Sequence, residues 1–213
     1  MDNIIVVENL TKKFGKTIVL SGINTAFEQG KIHGIIGRNG SGKTVLMKCI
    51  CGLTPITSGT VTVNDKKIGI DCEIIPNTGV IIETPGFLPN LSGYANLQNL
   101  ASLTGKVGKE EIRAAILRVG LNPNEKKHVG KYSLGMRQRL GLAQAIMEDH
   151  DILILDEPMN GLDKDGVKDM RQYLLNLKSQ GKTILIASHS VEDIDVLCDT
   201  VCEMDKGELS IIR

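Results

Sequence analysis

The chain has 213 residues, 41% of them hydrophobic and 23% charged, and its 25 Lys and Arg balance its 25 Asp and Glu to a formal net charge of +0 at pH 7. That length supports one well-cored domain with a lobe inserted, but not two independent domains. The neutral balance carries no basic excess to recruit duplex nucleic acid or an anionic membrane face, so no nucleic-acid partner is expected.

Residues 1–8 include acidic side chains and no Arg or Lys ahead of a short apolar run, and nowhere do about eighteen apolar residues follow one another. Neither a secretory signal nor a membrane-spanning helix is therefore expected. Residues 3–10 and 17–26 are rich in β-branched side chains and flank the turn-like Phe14-Gly15-Lys16, which predicts two strands. An apolar strand-like run over 31–36 leads into a glycine-rich loop and an apolar helix over 45–50. The β-rich character resumes at 59–63 and ends on a turn at Asn64-Asp65, so the first third reads as a mixed or antiparallel sheet flanking a core.

From residue 90 to 148 the pattern is mostly helical, with Gly, Pro and Asn clusters at 104–108 and 120–124 marking breaks. The last third alternates a strand over 152–155, a helix over 164–179, a strand over 183–187 and a helix over 191–197, then strands over 201–204 and 209–212. This is α/β wiring with parallel strands. No repeat, low-complexity run or linker interrupts it. The expectation is a single domain over 1–213, with 1–89 and 149–213 forming the core and its β subdomain and 90–148 an inserted helical lobe. The five cysteines, at 49, 51, 72, 198 and 202, show no CxxC spacing and read as free thiols of a reducing compartment. Cys198 and Cys202 would share a face if helical, but without a further Cys or His beside them core packing is the better reading than a metal site.

Gly37, Arg38, Asn39, Gly40, Ser41, Gly42, Lys43 and Thr44 match G-x-x-x-x-G-K-[ST] directly after the 31–36 strand. Glycines let the backbone curl so that successive N–H groups point at phosphate oxygens, and the helix beginning near Lys43 turns its positive end to the same anion. Lys43 is expected to bridge the β- and γ-phosphates and the Thr44 hydroxyl to ligate Mg²⁺. A chance glycine-rich turn would lack the strand before and the helix after. A second anchor is the aliphatic run 152–155, which delivers Asp156 and Glu157 to the end of a buried strand. Asp156 is placed to hold Mg²⁺ and Glu157 to orient or deprotonate the attacking water. Alone, such a pair is as readily a solvated strand end. With the glycine loop it marks a P-loop nucleotide hydrolase.

Tyr132-Ser133-Leu134-Gly135-Met136, followed by Arg137-Gln138-Arg139, resembles the LSGGQ signature of ABC ATPases. Asn160-Gly161-Leu162-Asp163 resembles their D-loop, Ser188-His189 their switch histidine, and Phe14 their adenine-stacking aromatic. Taken over nearly the whole chain, the sequence is similar to the ATP-binding subunits of ABC transporters. With Glu83-Thr84-Pro85-Gly86-Phe87 at the Q-loop, it looks closest to bacterial drug, bacitracin and lantibiotic exporter ATPases.

The resemblance implies an α/β P-loop core with a RecA-like parallel sheet, an antiparallel β subdomain and a helical signature lobe. It implies ATP as substrate and Mg²⁺ as cofactor. It also implies a second ATP-binding subunit, a homodimer in the simplest case, whose nucleotide is covered by Ser133 and Gly135. Integral membrane permease subunits complete the assembly, with this chain on the cytoplasmic face of the membrane. Glu83 stands where relatives carry glutamine, and as an oxygen donor it could still meet the metal. Leu134 and Met136 depart from the signature, while Ser133, otherwise an ordinary helix N-cap, and Gly135 retain the groups able to contact a γ-phosphate. His189 by itself would read as a structural histidine at a strand end; the family order makes it a γ-phosphate sensor. The segment 83–89, with Tyr94, is expected to receive a helix of the permease, or else to tuck Phe87 and Leu88 under the helical lobe. Accessory C-terminal segments common among relatives are not expected here. The alternatives are a soluble ABC ATPase outside transport, which would carry a long coiled coil or tandem cassettes, and another P-loop enzyme or a non-hydrolysing module, against which Tyr132 to Met136 and Glu157 respectively argue.

Overall fold

The computed structural model describes residues 2–83 and 85–213. The chain opens with two long antiparallel strands, β1 (Asn3–Phe14) and β2 (Thr17–Glu28), joined at Gly15-Lys16 with Phe14 paired to Thr17. Strand β3 (Ile32–Ile36) and helix α1 (Lys43–Ile50) follow, then β4 (Ser58–Val63) and β5 (Lys66–Lys67). Asn64 and Asp65 sit at φ 48° and 61°, the two left-handed positions of a type I′ hairpin that short polar side chains tolerate. Strands β2-β1-β4-β5 make one antiparallel sheet.

Strand β6 (Thr78–Ile81) precedes the helices α2 (Gly93–Thr104), α3 (Lys109–Arg118) and α4 (Leu134–Ile146), with a 3₁₀ turn at Val129–Lys131 before α4. The predicted breaks fall between these helices. Then come β7 (Ile152–Asp156), α5 (Lys164–Ser179), β8 (Thr183–Ala187), α6 (Val191–Leu197), β9 (Thr200–Asp205) and β10 (Glu208–Ile211). The second sheet runs β10-β9-β3-β8-β7-β6, parallel except at β10. The antiparallel β9–β10 hairpin corrects the expectation of parallel strands throughout the last third: Lys206-Gly207 leaves room only for a hairpin turn, and a parallel return needs a crossover of a dozen residues or so.

Alternation along the buried strands divides the core. Leu153, Leu155, Ile184 and Ile186 face the helices α2 to α6, whereas Ile152, Ile154, Leu185 and Ala187 face α1 and the antiparallel sheet. Both faces of the parallel sheet are therefore covered, and its carboxyl-terminal edge is where the loops after β3, β7 and β8 meet. Strand β6 carries no expectation from sequence. In the fold a Cβ on Gly79 would overlap the Ala145 carbonyl of α4, so the glycine is what lets the helix lie against this edge strand. Cys198 caps α6 and Cys202 lies in β9, so the two share no helix face. All five cysteines are free thiols, and burial pushes those of Cys49, Cys51 and Cys198 up to about 11, 12 and 12. Among the described residues no helix is long and apolar enough to cross a membrane.

Candidate functional site

The glycine loop leaves β3 and turns into α1 through Gly37, Gly40 and Gly42 at φ 147°, 79° and 116°, values closed to ordinary side chains. Helix α1 has no side-chain cap and no acidic residue in its first turn, so its N–H groups and positive end remain available to an anion. The Lys43 side chain is buried and its Nζ donates to the carbonyls of Gly37 at 2.7 Å and Arg38 at 3.2 Å, which holds the ammonium at the mouth of the loop. Ser41 Oγ is buried with no protein partner, and a buried hydroxyl left unpaired costs free energy unless a ligand or water meets it. Residues 39–45, Asp156 and Glu157 line one cleft of about 470 Å³, with Val19 of β2 in its wall.

Across the cleft, Thr44 Oγ1 donates to Asp156 Oδ2 at 2.7 Å. Burial raises the Asp156 carboxyl above its usual range, the Thr44 hydrogen bond opposing. A hydroxyl and one carboxylate form a sparse set of hard oxygen donors, which suits Mg²⁺ completed by phosphate and water rather than a protein cage. Among the described residues no three His, Cys, Asp or Glu side chains converge as a metal site. Glu83 does not line the cleft. Its carboxylate is engaged by Lys48 of α1 at 2.7 Å on an exposed surface.

Glu157 takes φ 50°, strained for a glutamate. Its N–H donates to the Ala187 carbonyl of β8 at 2.9 Å, its carbonyl accepts from Gln138 Nε2 of α4 at 3.2 Å, and its Oε2 lies 2.9 Å from His189 Nδ1. The fold thus brings Lys43, Thr44, Asp156, Glu157 and His189 together from the ends of three strands, β3, β7 and β8. Gln138 is a buried contact that the sequence shows only as part of a basic segment; its signal is a polar residue at helical spacing with the buried Leu142 and Ala145.

Ser133 and Gly135 stand apart from this cleft. Ser133 caps α4, its Oγ accepting the Met136 N–H at 3.2 Å, so the cap is real and the side chain remains exposed. Gly135 backs onto the loop after β7: a Cβ there would overlap the Gly161 carbonyl, and one on Gly161 would meet Leu134 Cγ at 2.8 Å. Phe14 ends β1 at 52% exposure, with Lys12 Nζ 4.6 Å from its ring centroid, and is not part of the cleft wall. Of the predicted docking segment, Thr84 lies outside the described residues. Phe87 and Tyr94 pack against the helical core while Leu88 is 55% exposed, its backbone held by the buried Asn96 amide. Pro85 and Gly86 border a groove of about 270 Å³ with Leu53 and Gly141.

Residues 20–160 match the family described as ABC transporter. The chain is 45% identical, over 98% of its length and 68% of the relative, to the bacitracin transport ATP-binding protein BcrA of Enterococcus faecalis. It is 36% identical, over 95% of its length and 87% of the relative, to the lantibiotic transport ATP-binding protein SrtF of Streptococcus pyogenes. The dimeric structure of the ABC transporter cassette MJ0796 superposes with a TM-score of 0.86 at 21% identity, covering 98% of this chain and 99% of that one.

Proposed function

Since this chain belongs to the ABC transporter family, as one of its ATP-binding and ATP-hydrolysing subunits, we propose that it energises export of a bacitracin- or lantibiotic-like peptide through separate permease subunits at the cytoplasmic face of the membrane. The observation that carries the site assignment is the convergence in one cleft of an uncapped helix N-terminus, the buried Lys43 ammonium, the unpartnered Ser41 hydroxyl and the Thr44–Asp156 pair. A triphosphate supplies anionic acceptors for the helix N–H groups, the Lys43 ammonium and the Ser41 hydroxyl. Mg²⁺ would be held by Thr44 and Asp156 and would neutralise charge on the phosphates.

In this reading the backbone of residues 37–43 wraps the phosphates, Lys43 exchanges its loop carbonyls for phosphate oxygens, and Phe14 offers an exposed face for the adenine. Glu157 accepts a proton from the attacking water, and His189, fixed beside it, faces the transferred phosphoryl group. Glu83, held by Lys48, would reach the metal only by leaving that pair. Ser133 and Gly135 lie outside their own cleft and serve the nucleotide of a second copy, so two chains close head to tail over two ATP molecules. Leu88 and the groove beside Pro85 present the permease-facing surface; Phe87, packed into the helical core, does not take part.

Substitution Lys43→Ala tests the assignment. ATP affinity measured by calorimetry should fall, and phosphate release with Mg²⁺ should drop by at least about a hundredfold, the scale for losing positioned electrostatic stabilisation. Near-normal hydrolysis by this variant would move the catalytic site elsewhere.

A further inference from the structure

Arg171 lies on α5 about two turns from its start and is not part of any motif that points to chemistry. Its Nε donates to Asp193 Oδ1 at 2.8 Å, its Nη2 lies 2.6 Å from the same oxygen, and its Nη1 donates to Glu192 Oε1 at 2.7 Å. The Arg171 side chain is 16% exposed, that of Asp193 6% and that of Glu192 76%. This is a multiply bonded, partly covered cation that joins a buried carboxylate, Asp193, to an exposed one, Glu192, and such arrangements fix geometry because a planar fork loses little freedom on binding.

What it fixes is the start of α6, and hence the turn carrying His189. Ser190 caps α6 by accepting the Asp193 N–H at 3.2 Å, its own N–H donates to Ser188 Oγ at 3.1 Å, and the Ser188 N–H donates to the Ile35 carbonyl of β3 at 3.2 Å. His189 sits between the two serines with Nδ1 2.9 Å from Glu157 Oε2. The switch turn is therefore pinned from the parallel sheet on one side and from α5 on the other. At its start, about two turns before Arg171, α5 is capped by Asp163, whose Oδ1 accepts the Gly166 N–H at 3.1 Å and faces Arg139 of α4 at 3.5 Å. One rigid helix thus joins the loop beside the signature turn to the loop beside the catalytic carboxylate. Glu157, His189, Arg171 and Asp193 border a common cleft of about 690 Å³.

We propose that Arg171 is a positioning residue for hydrolysis: through Asp193 and the two serines it holds His189 against Glu157. This rests on the roles given above to Glu157 and His189. A residue that only packed α5 on α6 would change stability without singling out the chemical step.

The test compares Arg171→Gln, Arg171→Lys, His189→Ala and the double variant Arg171→Gln/His189→Ala in steady-state ATP hydrolysis, with ATP affinity and thermal unfolding measured alongside. Arg171→Gln should lower kcat by about tenfold or more while KM stays within about twofold, a loss confined to the transition state. Arg171→Lys, able to hold one carboxylate but not both, should fall between. In the His189→Ala background Arg171→Gln should change kcat by less than about twofold, the non-additivity expected of residues acting through one another. Equal fold-losses in both backgrounds, or an unchanged kcat in Arg171→Gln, would overturn the proposal. If Arg171→Gln alone does not fold, Arg171→Gln/Asp193→Asn, which removes the buried charge with its partner, serves in the same comparison. A Glu157→Gln control separates the two levels: slow Glu157→Gln with normal Arg171→Gln removes only the role of Arg171, while wild-type rates in both Glu157→Gln and His189→Ala remove the site assignment and this inference with it.

Discussion

Glu157 holds a left-handed backbone conformation that costs a non-glycine residue on the order of 1 kcal/mol or more, offset here by bonds from both its N–H and its carbonyl. The strain turns its side chain out of the strand direction and toward His189. His33, which has no part in the chemistry, shows how the same physics fixes a protonation state. Its Nε2 lies 2.8 Å from the Glu28 carbonyl, which can only accept, so Nε2 carries the proton and Nδ1 accepts from the Thr200 hydroxyl at 2.7 Å. Burial depresses its pKa below the ordinary 6.5, and His150 is depressed by burial in the same direction. Because the folded pKa lies below the unfolded one, the neutral ring contributes its full stability above pH 6.5 and loses it as the pH falls from there toward the folded value. His33→Gln, which keeps a donor for Glu28, should therefore show a smaller drop in Tm between about pH 7 and 5.5 than the wild type. An unchanged pH slope in thermal unfolding would place the acid sensitivity in other groups.

Among the elements, α4 is the one whose two ends answer to different demands. Gln138 ties it to Glu157, Gly79 admits it against β6, and its first turn leans on the loop after β7 through Gly135 and Gly161. The Gly135 contact is backbone against backbone, so an added methyl cannot be relieved by a side-chain rotation. Gly135→Ala should lower Tm by several degrees, consistent with an overpacking cost of about 1–3 kcal/mol. It should leave ATP affinity of the isolated subunit unchanged, since Gly135 is outside the cleft. Thermal unfolding and an ATP titration on one preparation decide this: unaltered Tm would mean that the signature turn and the loop at Gly161 are not packed as closely as described. Gly135 is thus closely packed within a single chain, against the Gly161 carbonyl.

On the scale of the molecule, one copy presents the cleft lined by residues 39–45, Asp156 and Glu157 and an exposed Ser133 on the helical side, and these do not meet within the chain. The proposed head-to-tail pair supplies what each copy lacks. Glu157→Gln should retain ATP binding, slow hydrolysis by roughly a hundredfold as for loss of a general base, and accumulate dimer with ATP and Mg²⁺ because the closed state no longer turns over. Analytical ultracentrifugation of this variant with and without ATP provides the measurement. Monomer under both conditions at high protein concentration, with hydrolysis stalled, would argue against nucleotide-driven closure, and unchanged hydrolysis would remove Glu157 from the general-base role.

Local pattern by itself determined the long strands of the β subdomain, the glycine loop with its flanking strand and helix, and the bounds of α5, β8 and α6, because capping residues, turns and hydrophobic period act over a few neighbours. It also determined that Asp156 and Glu157 end a buried strand. Only the tertiary structure decided the placement of β6, since its glycine is needed for the approach of a helix distant in sequence. Pairing of β10 with β9, the packing of Phe87 against the helical core and the capture of Glu83 by Lys48 were settled in the same way. The links Gln138–Glu157, Arg171–Asp193 and Glu157–His189 join residues separated by 19, 22 and 32 positions. No periodicity reports such pairs; they exist because a parallel sheet covered on both faces brings the ends of its strands, and the loops they carry, to one edge.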